Sequence, residues 1–147
     1  VSYNTYSFQD VNVAFKSASV GAFSSTGAGI GSISVDMATE KTVHEVAADG
    51  TVMVSKILGD NGTVVIAVQQ TSHLHKLLMG WYNFVNSTSN PLAAWTDMSI
   101  TISSANLGDT TICTGVSPQK LPNRPYQAQG QLVSWTLMSA EITQTSK

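Results

Sequence analysis

Charge is what this chain has least of. Asp, Glu, Lys and Arg make up 11% of its 147 residues, where an ordinary soluble domain carries roughly 25%. The seven basic residues stand singly, at Lys16, Lys41, Lys56, Lys76, Lys120, Arg124 and Lys147. No two are adjacent, which excludes a stripe that tracks a phosphate backbone. A net charge of -2 and a pI near 5.8 exclude the basic footprint of a nucleic-acid binder. Cys113 is the only cysteine, so an intrachain disulfide and a cysteine-based zinc site are both excluded. A lone cysteine is compatible with folding in a reducing cytoplasm. No apolar run approaches the ~18 residues of a membrane-spanning helix.

Ser, Thr, Asn, Gln and Gly take the place of the missing charge. The chain is 42% hydrophobic, too much for a disordered segment, and long enough to bury a core without metal or disulfide help. A polar but weakly charged surface repels its own copies little, which points to assembly before it points to chemistry. We expect one domain over residues 1–147.

Periodicity predicts a mainly β protein. Tyr6, Phe8, Val11, Val13 and Phe15 alternate, with a slip at Gln9–Asp10 that predicts a β-bulge. Residues 17–31, with the run SSTGAGIG, read as a flexible loop. They lack the lysine of a phosphate-binding loop. Ile33, Val35 and Met37 alternate next. Residues 51–58 are β-rich, and Asp60-Asn61-Gly62 predicts a hairpin turn into residues 63–70. Val64, Ile66 and Val68 face one way and Val65 and Ala67 the other, as in a central strand.

The period then changes. Leu74, Leu77, Leu78, Trp81, Tyr82 and Val85 fall on one face of an amphipathic helix over about 72–87, with Thr71 or Ser72 as its cap. Strand alternation returns at Met98, Ile100 and Ile102. Residues 117–131 hold Pro118, Pro122 and Pro125, too many for a strand. Val133, Trp135 and Leu137 share one face of the last strand. The expected architecture is seven or eight strands in two packed antiparallel sheets or a partly closed barrel, with one flanking helix.

Catalytic and metal patterns are weak. His73 and His75 stand two apart on the helix and point to different sides, so they read as two surface histidines. His44 and Glu45 are strand neighbours on opposite faces. Cys113 lies mid-strand without a surrounding motif and reads as structural. Trp81 and Trp135 are in phase with the core, while Trp95 is the freest aromatic. No acid, base and nucleophile set converges, so no enzyme and no cofactor or metal is expected.

Three stretches carry a family resemblance: SYNTYSFQDVNVAF, ATEKTVHEVAADGTVMVSKILGDNGTVVIAVQQTSHLHKLL and CTGVSPQKLPNRPYQAQGQLVSWTLMSAEI. They resemble the tail tube proteins of contractile-tailed bacteriophages, and the resemblance runs over nearly the whole chain, from residue 2 to residue 142. The resemblance implies a tube-type β fold with a flanking helix. It also implies a ring of six copies whose strands form a continuous inner barrel. Such rings stack into a hollow tube inside a contractile sheath and conduct the genome. The implied partners are further copies of this chain, the tail sheath protein, and baseplate and tail terminator proteins. DNA would pass through without specific binding. The expected location is the virion tail, assembled in the host bacterial cytoplasm.

On that implication, Asp36, Glu40 and Glu45 are candidates for an acidic lumen wall that repels DNA phosphates. His73 and Lys76 are candidates for a sheath-facing surface. Ser25, Gly27, Gln119 and Arg124 are candidates for contacts between rings, because irregular segments can reach a neighbour. The rival reading from another class is a monomeric carbohydrate-binding β-sandwich of a tail or baseplate, using Trp95 to stack on sugars.

Overall fold

The computed structural model describes residue 3 and residues 5–17, 21–25, 29–87 and 92–146. The strands are β1 (Val11–Ser17), β2 (Gly21–Ser25), β3 (Ile30–Met37), β4 (Thr42–Val46), β5 (Val52–Lys56), β6 (Gly62–Gln69), β7 (Met98–Ser104), β8 (Asp109–Lys120) and β9 (Leu132–Ser146). The helix α1 (His73–Val85) lies between β6 and β7. Seven strands form one antiparallel sheet in the order β2-β1-β7-β8-β9-β6-β3, and β4 and β5 pair only with each other.

Alternation decides which side of each strand is buried. In β1, Val11, Val13, Phe15 and Ser17 are buried while Lys16 is exposed. In β9, Val133, Trp135, Leu137 and Ser139 are buried and their neighbours are exposed or half-buried. The sheet curls strongly. Ile33 and Val35 of β3 meet Val11 of β1 and Ile102 of β7 around one groove, although several strands separate them in the sheet order. The result is a partly closed barrel, the second of the two expected arrangements. Two packed sheets do not form.

The helix covers the open side of this half-barrel. Leu74, Leu78, Trp81 and Val85 bury into the same core as Phe15, Ile66, Ile100 and Trp135. Ser72 caps it, its hydroxyl accepting the His75 N–H at 3.1 Å, which satisfies one of the free donors at a helix start. His73, Lys76, Gly80 and Asn83 form the exposed stripe.

Four expectations are corrected. The slip at Gln9–Asp10 is a 3-10 turn over Phe8–Asp10, capped by Ser7, and not a bulge. Residues 17–31 are not all loop, because Gly21–Ser25 form β2 against β1. Asp60-Asn61-Gly62 is not a β5–β6 hairpin turn. Both edges of β6 are occupied, by β3 and β9, so β5 folds back on β4 around Asp49-Gly50 instead. Lastly, Ser117–Lys120 extend β8 despite Pro118. Pairing with β7 stops at Val116, while Pro118 stays opposite Leu137 of β9. The N–H that proline lacks therefore falls where β8 has one neighbour only.

Candidate functional site: an exposed arm and two sheet edges

The chain leaves the sheet at Met37 and returns at Gly62, which are register partners. Between them β4 and β5 form an arm whose ten strand residues are all exposed. Pairing sets the faces. His44, Val46, Val52 and Val54 share one side, and Val43, Glu45, Met53 and Ser55 the other. Val46 is 66% exposed, Val54 62% and Met53 57%. Both sides thus present apolar surface to solvent, and an isolated two-stranded hairpin is marginal in water. The arm reads as a surface that another chain covers.

Its base is well tied. The Ala38 N–H donates to the Asn61 carbonyl at 3.0 Å, and the Ile57 N–H to the Lys41 carbonyl at 2.9 Å. The Thr39 hydroxyl donates to Asn61 Oδ1 at 2.8 Å, and the Lys41 ammonium reaches both the Gly59 carbonyl and the Asp60 carboxylate. At the tip, the Asp49 carboxylate accepts the Thr51 N–H at 3.0 Å. That hydrogen bond holds the carboxyl below its usual range. Gly50, at φ +91°, makes the tight turn.

The curled sheet is not closed on itself. Among the described residues β2 and β3 are its two outer strands, each paired with a strand on one side. The residues singled out from sequence fall on different elements. Asp36 is exposed on β3, opposite Thr63 of β6. Glu40 is exposed in the link to the arm, and Glu45 lies on the arm itself. The three do not share one sheet face. His73 and Lys76 both sit on the outward stripe of α1. Ser25 ends β2 and is half-buried, Gln119 and Arg124 are exposed, and Gly27 lies outside the described residues.

One histidine is placed differently from the expectation. His75 is buried, not on the surface, and its Nδ1 accepts the indole N–H of Trp135 at 3.1 Å. The pair ties the helix to β9. Burial, and then the nearby Arg124 charge, push the His75 imidazole below its ordinary value of 6.5. Because the folded chain resists protonation there, the pair's contribution is complete above pH 6.5 and is lost as pH falls below it. Thermal melts from pH 8 to pH 5 should therefore show a smaller loss for His75→Asn, whose Oδ1 can accept the indole N–H without titrating. An equal loss in both proteins would remove His75 as the cause.

The remaining candidates are structural. Cys113 is buried, and burial pushes its thiol up to about 11, far from a nucleophile's range. Trp95 is half-buried and packs against the core, so it offers no open platform to a sugar ring. Among the described residues no cluster of three or more His, Cys, Asp or Glu is placed to hold a metal. Among the described residues no helix is long and apolar enough to cross a membrane.

Sequence reasoning missed the arm as a separate unit. Its signal was present, since TVHEV and VMVSK carry apolar residues in both phases. Such a pattern belongs to a strand covered on both sides, and among the described residues nothing supplies the cover. The His75–Trp135 pair had no signal, being 60 positions apart.

The described residues thus form a curled, antiparallel half-barrel with one flanking helix and a projecting arm. The family described as the bacteriophage PhiTE tail tube protein matches residues 3–146. The chain belongs to that family, as a structural subunit of a bacteriophage-type tail tube. None of the curated proteins matches it. Among solved structures, the fold is similar to a chain of the PVC sheath/tube terminator of an extracellular contractile injection system in its extended state. There the TM-score is 0.66 at 15% identity, covering 99% of each chain. A chain of the PVC sheath-tube complex, also extended, gives a TM-score of 0.64 at 14% identity, covering 97% of this chain and 93% of that one. A chain of the tube-terminating cap of the anti-feeding prophage gives 0.59 at 11%, covering 100% and 94%.

Proposed function

We propose that this chain forms rings of six copies that stack into the hollow tube of a virion tail and let the genome pass. The role is structural and non-enzymatic, with assembly in the host bacterial cytoplasm. The observation that carries this reading is the arm, apolar on both sides and exposed along its whole length. A monomer has no use for such an element, but a stack of copies buries it in every layer.

The two outer strands support the ring. If β2 of one copy lies beside β3 of the next, the two outer strands pair and the half-barrels join into a closed wall, which removes the edges. Asp36, on β3, is then assigned to the lumen side, where a carboxylate discourages DNA from adhering. The outward stripe of α1, with His73 and Lys76, is assigned to the sheath, and the baseplate and tail terminator meet the tube's two ends.

Electron microscopy of the purified protein tests this directly. Six-fold rings or tubes of uniform bore are the expected result. A monodisperse monomer at high concentration, from a preparation that keeps its β-rich circular dichroism, would overturn it. The sugar-binding alternative gains nothing from the structure, because its stacking residue packs against the core.

A further inference from the structure

The segment between β8 and β9 is a strap rather than a slack loop. Gln70, at the entrance to α1, grips it twice through its side chain. Its amide nitrogen donates to the Pro125 carbonyl at 2.7 Å, and its Oε1 accepts the Gln131 N–H at 3.2 Å. The Gln70 N–H also donates to the Gln131 carbonyl at 3.3 Å. The strap is therefore held in place before any partner arrives, which lowers the ordering cost of binding. It presents Tyr126, 84% exposed, and an exposed Leu121 near its start. Tyrosine and arginine are frequent anchors of protein interfaces. The only charges in residues 117–131 are Lys120 and Arg124.

The strap and the arm leave the sheet at opposite ends. Leu132, where the strap rejoins the sheet, pairs with Gln69 at one end of β6. The arm's roots, Met37 and Gly62, pair at the other end. The length of β6 separates them by about 25 Å. The two are also opposite in charge. Residues 45–51 at the arm's tip hold Glu45 and Asp49 and no basic residue, whereas the strap holds two basic residues and no acidic one. Both carry exposed apolar side chains.

Two unlike, complementary surfaces at the two ends of one chain make a head-to-tail contact that repeats without closing. We infer that the strap over residues 120–131 is the receptor for the acidic, apolar tip of the arm from a second copy in the adjacent ring. This rests on the stacked-ring reading above and assigns its axial contact. Tyr126 and Leu121 meet Met53, which shares a side of the arm with Glu45, while Lys120 and Arg124 meet Glu45 and Asp49. Glu45 thereby belongs to the contact between rings and not to the lumen wall.

Charge reversal tests the assignment with the full-length protein. Lys120→Glu with Arg124→Glu, and separately Glu45→Lys with Asp49→Lys, are each expected to lower tube yield at least tenfold in negative-stain images. Circular dichroism melts should change little, since all four positions are exposed and the one hydrogen bond lost, from the Thr51 N–H to Asp49, lies at the arm's tip outside the core. Mixing the two reversed proteins should restore tubes, because each then carries the arm that suits the other's strap. The fourfold variant should assemble alone. Strap variants that assemble like wild type, or a mixture as inactive as its components, overturn the inference while leaving the tube reading intact. A wild-type protein that forms no tubes overturns both.

Discussion

Replacing Val46, Val52 and Val54 with serine is expected to abolish tube formation while leaving the monomer's melting temperature almost unchanged. The three share one side of the arm and are between 46% and 66% exposed. Fully burying such a side chain stabilises by ~1.5–3 kcal/mol, so about half of that remains to be gained when a partner covers it. Three valines then contribute about 3 kcal/mol to each contact, or about a hundredfold in its equilibrium constant. The contact recurs at every copy of a stack, so the critical concentration for assembly should rise by at least that factor. The monomer is insensitive because none of the three joins the core cluster, and local opening of the arm does not unfold the rest. Sedimentation and electron microscopy read the first effect and calorimetry the second. Normal tubes from the triple variant would show that this side of the arm is not covered in the assembly.

Trp135→Ala acts in the opposite sense, with its largest effect on folding. Trp135 has no exposed surface and stands in β9 between β6 and β8, beneath the helix it binds through His75. Truncating a buried tryptophan costs ~3–5 kcal/mol, and the change also leaves the His75 acceptor without its donor. For a chain of this length each kcal/mol lowers the melting temperature by roughly 2–4 °C, so a fall of about 10–15 °C is expected. Tube yield at low temperature should fall only as the folded fraction falls. A shift below about 5 °C would mean that the helix and β9 are less coupled than the geometry requires.

Much of the fold could be read before the coordinates. The helix was legible because Leu74, Leu78, Trp81 and Val85 repeat at the helical period and all four are buried. The core faces of β1 and β9 were legible from strict alternation. Pairing was less legible, because alternation says which side of a strand is buried and nothing about which strand lies beside it. Asp60-Asn61-Gly62 has the composition of a hairpin turn, yet β6 was already occupied on both edges by strands distant in sequence. Pro118 argued against a strand, yet the position has a neighbour on one side only. The arm's two-sided apolar pattern resembles that of a buried strand, and only the structure shows that both strands are exposed.

By itself, the sequence determined the β-rich class, the amphipathic helix and the core-facing residues. These follow from side-chain period and chemistry, which are local properties. The tertiary structure alone decided that the sheet curls into a half-barrel with two open edges, that an arm and a strap leave it at opposite ends, and that His75 meets Trp135 across 60 positions. Those depend on which backbone ladders are already satisfied when the chain closes on itself, a property of the whole fold that no local pattern encodes.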